Sequence, residues 1–175
     1  MTPRPLLTRL RSRLSFYEWA YGHLAESDAD LGPVAEFLVG TAFDCLPPAR
    51  PMNAPYDLVL SDGRTIEVKA TAKRTTQSGG RPSVYRWDVG TQFAGSKRLA
   101  DLWFFFIADF PATAARQARF DVFDPRHWRV RVATGEQLAS TGVTRYVYER
   151  TLDRLSVPVQ SFAAFLRSTR SRGSL

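Results

Sequence analysis

The stretch PYDLVLSDGRTIEVKA, residues 55–70, joins two apolar runs through a turn. Asp57, Glu67 and Lys69 lie within those runs, in segments that otherwise read as buried β-structure. Charges in such a place are costly unless they are paired, bound to a metal or used. The turn LSDGRT admits two registers. With Asp62-Gly63 as a two-residue loop, Leu58 would sit opposite Glu67, and each face of the hairpin would mix apolar and charged residues. With Ser61-Asp62-Gly63 as a three-residue loop, Gly63 supplies the left-handed conformation that loop needs. Leu60 then faces Arg64, Leu58 faces Ile66 and Tyr56 faces Val68. Asp57 lies opposite Glu67 on the other face, with Val59, Thr65 and Lys69. A slip of one residue reverses every side chain. The second register alone gives one clean apolar face, and it is the one expected.

This register places two carboxylates side by side, about 5 Å apart at their Cβ atoms. Lys69 is two residues beyond Glu67 and therefore on the same face. Adjacent carboxylates repel, and one takes up a proton unless a cation lies between them. Lys69 neutralises them in part. A divalent ion does so better, and carboxylate, backbone and water oxygens describe a hard-ion site for Mg²⁺ or Mn²⁺.

Upstream, PVAEFLVGTAF predicts a helix from Pro33 to Phe43, with Pro33 in its first turn. It is apolar nearly all round, so it is expected to be buried on most sides, and Glu36 is its one acid before Asp44. The proline-rich CLPPARPMNAP that follows suits neither helix nor central strand. Downstream, SVYRWDV predicts a strand, and DLWFFFIAD a fully buried one. ARFDVFD and WRVRVAT alternate and predict two more strands joined by a turn around Pro125. TGEQLAST predicts a short helix capped by Thr134, and the C-terminal segment ends in a short helix with a frayed basic tail over 168–175. Leu6, Leu10, Leu14, Tyr17, Tyr21 and Leu24 recur as one face of an amphipathic helix within residues 1–30. No repeat or second domain is visible, and the 175 residues suit one domain.

The composition, 44% hydrophobic and 13% aromatic, supports a real core. Twenty-four Lys and Arg against 17 Asp and Glu give a net charge of +7, which suits a polyanionic partner as well as simple solubility. The single cysteine, Cys45, excludes an internal disulfide and fits a reducing, cytoplasmic setting with Cys45 in the core. His23 and His127 form no zinc spacing with it. LWFFFIA is too short to cross a bilayer, so no membrane partner is expected.

Glu36 on its helix, Asp57 in PYDLVL, and Glu67-Val68-Lys69 in IEVKA together resemble the active-site signature of the PD-(D/E)XK nuclease superfamily, in the order helix, strand, strand. The resemblance covers roughly residues 30–110. It implies an α/β, restriction-endonuclease-like core: a central mixed β-sheet flanked by helices in α-β-β-β-α-β order, here with extra C-terminal strands and a helix. It implies a Mg²⁺- or Mn²⁺-dependent nuclease, with DNA a better substrate than RNA. Asp57 and Glu67 would bind the metal together with the Val68 carbonyl. Lys69 would position or activate the attacking water. Glu36 would act through water or a second ion. The superfamily's proline stands at Pro55, one residue further from Asp57 than the family's name describes. Some branches add a Gln and a Tyr after the E-x-K; Gln77 and Gln92 are present, and neither is assigned.

Lys73, Arg74, Arg81 and Arg86 follow the hairpin and are candidate phosphate contacts, with Lys97 and Arg98 beyond them. Tyr85 and Trp87 share a strand face and are candidates either for base stacking or for the core, the latter favoured for Trp87. A chain this small would read sequence through loops or by dimerising, or would serve within a larger DNA-processing or defence system. The alternative function is a non-catalytic nucleic-acid- or protein-binding module. A third, a phosphate-handling enzyme of another kind, lacks a phosphate-binding glycine loop.

Overall fold

The computed structural model describes residues 31–45, 56–72, 84–90, 99–110 and 121–171, together with the backbone of 74–75. The expected N-terminal helix, the proline-rich connection, Lys73, Arg81, Gln77, Gln92, Lys97, Arg98 and residues 172–175 lie outside them.

Helix α1 (Gly32–Ala42) carries Pro33 in its first turn and buries Val34, Ala35, Leu38 and Val39. Strands β1 (Leu58–Val59) and β2 (Thr65–Thr71) form the hairpin. Strands β3 (Arg74–Thr75) and β4 (Val84–Asp88) follow. Strand β5 (Leu102–Ala108) is buried along its whole length, as its unbroken apolar run requires. A 3-10 turn (Pro125–His127) precedes β6 (Trp128–Thr134), and α2 (Gly135–Ala139) follows it. Strand β7 (Tyr146–Tyr148), helix α3 (Glu149–Arg154), strand β8 (Gln160–Ser161) and helix α4 (Phe162–Ser171) complete the chain.

The protein is α/β. A five-stranded mixed sheet runs in the order β1-β2-β5-β6-β8, and a separate antiparallel sheet in the order β3-β4-β7. Strands β2 and β5 are parallel; the other pairings of the large sheet are antiparallel. Period-two alternation along β5 divides the core in two. Leu102, Phe104, Phe106 and Ala108 join α1, α4 and the apolar side of the hairpin. Trp103, Phe105 and Ile107 face the other way, toward Tyr85, Trp87, Val147 and Leu152 of the small sheet and α3. Three layers result: helices, the large sheet, and the small sheet with its helix.

Several expectations hold in detail. Leu58 pairs with Ile66 and Val59 with Thr65, the Leu60 N–H bonds the Arg64 carbonyl, and Gly63 has φ +87°. Cys45 is buried. Thr134 caps α2 through a reciprocal capping box with Gln137. Three expectations need correction. Asp57 does not face Glu67, nor Tyr56 Val68, because the Asp57 N–H takes the Ile66 carbonyl at 2.9 Å and shifts the start of the hairpin by one residue. ARFDVFD is not a strand where it is described: 121–124 is a turn. Asp121 accepts a hydrogen bond from the Phe123 N–H and Asp124 one from the Arg126 N–H, and such side-chain turns compete with a ladder. The basic tail does not fray from 168, because α4 continues through Ser171. The strand at 146–148 and the helix at 149–154 have no counterpart in the sequence reading.

Gly135 marks the tightest join. A Cβ there would lie 2.3 Å from the Ala100 carbonyl oxygen, a backbone atom that cannot swing aside. The Gly135 N–H also bonds the Asp101 carbonyl at 3.0 Å. Gly135→Ala is therefore expected to destabilise the fold by about 1–3 kcal/mol, read as a lower urea midpoint. An unchanged midpoint would show that the join yields freely.

Candidate active site

Strand β2 sends Ile66 and Val68 into the helix-side core and turns Glu67 and Lys69 to the opposite face, beside Trp103 and Phe105 of β5. Glu67 is only 2% exposed. Its Oε1 lies 2.5 Å from Lys69 Nζ. The two sit at alternate positions on one strand face, as expected, and the ammonium compensates a carboxylate that burial would otherwise disfavour.

Asp57 is held by an irregularity. The Leu60–Arg64 bond makes 60–64 and 58–66 the hydrogen-bonded pairs of the hairpin, so an unbroken ladder would set Asp57 against Glu67 with its N–H turned away. Instead the Asp57 N–H bonds the Ile66 carbonyl at 2.9 Å. Two residues of the first strand thus oppose one of the second, the arrangement of a β-bulge. The carboxylate then reaches β2 itself, and its Oδ2 accepts from the Val68 N–H at 2.7 Å. In the unbroken register that N–H would belong to the Tyr56 carbonyl. A side chain has taken the place of a ladder acceptor, between Glu67 and Lys69 in sequence. By the same alternation the Val68 carbonyl faces the β1 edge.

Burial pushes the Asp57 carboxyl above its ordinary value, against the opposing pull of the Val68 N–H and of Lys69. For Lys69, burial favours loss of the proton, but the charges and hydrogen bond of Glu67, followed by the charges of Asp57 and Glu36, outweigh it and raise its pKa. The ammonium is therefore fully protonated at neutral pH. Glu36, half-buried on α1, contributes to the same field although its helix packs on the other side of the sheet. Three carboxylates, on α1, just ahead of β1 and on β2, thus act on one amine.

Among the described residues, no group of three or more His, Cys, Asp or Glu side chains is placed to hold a metal ion. The oxygen donors at this spot are the Asp57 and Glu67 carboxylates, with the Val68 carbonyl beside them. They suit a hard divalent cation chemically. Such an ion would compete with Lys69 for Glu67.

The candidate substrate contacts fare differently. Arg86 is exposed on β4, and Arg74 lies in β3 opposite Tyr85. Tyr85 and Trp87 are both buried; the Trp87 indole donates to the Phe106 carbonyl at 3.1 Å. Neither ring is available to stack on a base. Sequence reading missed Arg131, which faces the same side of the sheet. It is 6% exposed and pairs with Asp153 at 2.8 Å and the Val157 carbonyl at 2.9 Å. The signal was present in WRVRV, where arginines alternate with core residues on a strand that pairs with β5. No helix among the described residues is long and apolar enough to cross a membrane.

Asp57 yields a prediction with a definite sign. A carboxyl whose folded pKa is raised contributes most stability below its unfolded value near 3.8, and that contribution is lost as pH rises through the folded pKa. At neutral pH its charge opposes folding. Asp57→Asn keeps an acceptor for the Val68 N–H and removes the charge, so it is expected to melt higher than wild type at pH 7 in a chelator, with the difference vanishing toward pH 3. Asp57→Ala strands the Val68 N–H and should cost about 1–3 kcal/mol. A lower melting temperature for Asp57→Asn at pH 7 would contradict the assignment.

No protein-family model and no curated protein matches this sequence, so its chemistry rests on these side chains.

Proposed function

We propose that this chain is a metal-dependent nuclease of the PD-(D/E)XK type, with a restriction-endonuclease-like core, hydrolysing phosphodiester bonds in DNA. The observation that carries the reading is the geometry around β2: Glu67 lies 2.5 Å from Lys69, and Asp57 Oδ2 accepts from the intervening Val68 N–H at 2.7 Å, so two carboxylates and an ammonium share one segment. Carboxylates beside a fixed cation suit a centre that receives a divalent ion and a phosphate.

Asp57 and Glu67 would hold Mg²⁺ or Mn²⁺, with the Val68 carbonyl as a further ligand and Glu36 acting through water or toward a second ion. When bound, such an ion supplies Lewis-acid polarisation of the phosphate and a more acidic water. Asp57 Oδ2 already accepts from the Val68 N–H, which fixes the carboxylate while leaving further lone pairs for an outside ligand. Lys69 would position or activate the attacking water; as the ammonium that its neighbours favour in the metal-free chain, it would donate a hydrogen bond to that water or to a phosphate oxygen and offset the charge that develops there. Arg74 and Arg86, with Lys73 and Arg81, would contact the flanking phosphates.

The second reading is a binding module on the same fold. The close Lys69–Glu67 pair favours it, since each group already has a partner within the chain.

The decisive assay is incubation of plasmid, linear duplex, single-stranded DNA and RNA with the protein in Mg²⁺, Mn²⁺ or EDTA. Wild type is expected to cut DNA only with the metal. Lys69→Ala and Asp57→Asn should each lose at least 100-fold in rate while remaining folded. Binding without cutting by wild type in either metal would leave the module reading in its place.

A further inference from the structure

The small sheet has one face in the core and one turned outward. Tyr85, Trp87 and Val147 point inward, into the second hydrophobic cluster. By alternation Arg86 and Asp88 of β4 and Tyr146 and Tyr148 of β7 share the outer face, with Arg86 opposite Tyr148 and Asp88 opposite Tyr146. The outward groups form a mesh of cations and rings. The Arg86 guanidinium lies 4.5 Å from the Tyr146 ring centroid, that of Arg145 lies 4.9 Å from the same ring, and that of Arg150 lies 5.3 Å from the Tyr148 ring. Both tyrosines are partly exposed, and all three arginines are exposed. Asp88 pairs with Arg145 at 3.2 Å and accepts from the Gly90 N–H at 2.8 Å. With that acid neutralised, the face keeps a surplus of positive charge.

This chemistry selects its partner. Rings on a flat sheet, about 7 Å apart along one strand, can meet the π-faces of neighbouring bases only where those faces are uncovered. A duplex hides them in its stack. The guanidinium groups lie over the rings; they extend the stack, or a base takes their place on the ring and they turn to the phosphates. An apolar protein surface would desolvate three arginines against one acid, Asp88. We infer that the outer face of the small sheet binds single-stranded DNA, with Tyr146 and Tyr148 stacking on two successive unpaired bases and Arg86, Arg145 and Arg150 serving the adjoining phosphates. The choice of DNA over RNA rests on the nuclease reading above; the stacking does not.

The test is fluorescence anisotropy of a labelled oligothymidine of about 16 nucleotides with the full-length protein in EDTA, where the proposed cleavage is silent. Binding should weaken with salt and exceed that of a duplex of equal length. The Tyr146→Ala/Tyr148→Ala variant should bind roughly 5- to 100-fold more weakly, and Tyr146→Phe/Tyr148→Phe within about twofold of wild type, since phenylalanine keeps the π-face. Arg86→Glu/Arg150→Glu alters exposed positions alone, and should weaken binding and flatten its salt dependence. Unchanged binding in the double-alanine and the charge-reversed variants overturns the proposal, as does equal affinity for duplex. Tighter binding of oligouridine would assign the face to RNA and overturn the choice of DNA. A protein that binds in this way and never cuts leaves this inference intact and defeats the nuclease reading alone.

Discussion

The Lys69–Glu67 pair sets the terms for everything around it. Glu67 stands almost wholly out of water, and the Lys69 ammonium lies 2.5 Å from it. Removing that ammonium takes the nearest counter-charge from a desolvated carboxylate, which costs stability. Yet a buried ion pair contributes little net stability compared with well-packed apolar residues of the same size. Stability alone does not explain why this strand carries charge at all. Asp57 and Glu36 sharpen the point, since both act on the same amine. Carboxylate oxygens gathered near one amine are the donors that a hard cation would use. The proposed chemistry begins from that gathering.

The frame that fixes this centre is β5. Its aromatic side chains fill both neighbouring layers, so the strand cannot shift without disturbing two cores at once. Buried indoles are tied down by their polar ends: Trp87 to the Phe106 carbonyl, Trp103 to the Ala100 carbonyl and Trp128 to the Val122 carbonyl. Asp101, just ahead of β5, accepts from the Thr65 N–H at 2.7 Å and from its hydroxyl at 2.9 Å. Thr65 is two residues before Glu67. Strand β2 is thus fastened by a carboxylate on its β5 side and by another, that of Asp57, on its β1 side.

Where one periodicity fixed the answer, the structure was legible from residues alone. The hairpin register followed from the separation of apolar and charged faces, and the seven-residue run in β5 could only be a strand covered on both sides. Thr134 announced α2 as its N-cap. Legibility failed where local and tertiary signals diverged. Residues 121–124 alternate like a strand, but Asp121 and Asp124 bond their own backbone and turn the chain. The YVYER segment is too short for either period to show, and its outward tyrosines become meaningful only once β4 lies beside them. Of the candidate site, the Glu67–Lys69 face was readable from the strand period. The arrival of Glu36 in the same field depends on how α1 packs, which its nearly all-apolar sequence leaves undetermined.

The bulge at Asp57 was not readable, because no residue type is reserved for it, and it changes the chemistry of the carboxylate. In a regular ladder Asp57 would face Glu67 directly, two like charges opposed across the strands. The extra residue moves Asp57 onto the Val68 N–H instead. That hydrogen bond favours the ionised form, but burial opposes it more strongly and leaves the carboxyl raised. The side chain is held in one orientation by a bond to the backbone of the Glu67–Lys69 segment, and in that orientation it is short of positive charge. A carboxylate placed so needs no rearrangement to accept a cation, and binding one would reverse the pKa shift that burial imposes. The displacement that makes Asp57 unfavourable for folding is therefore what prepares it for a ligand.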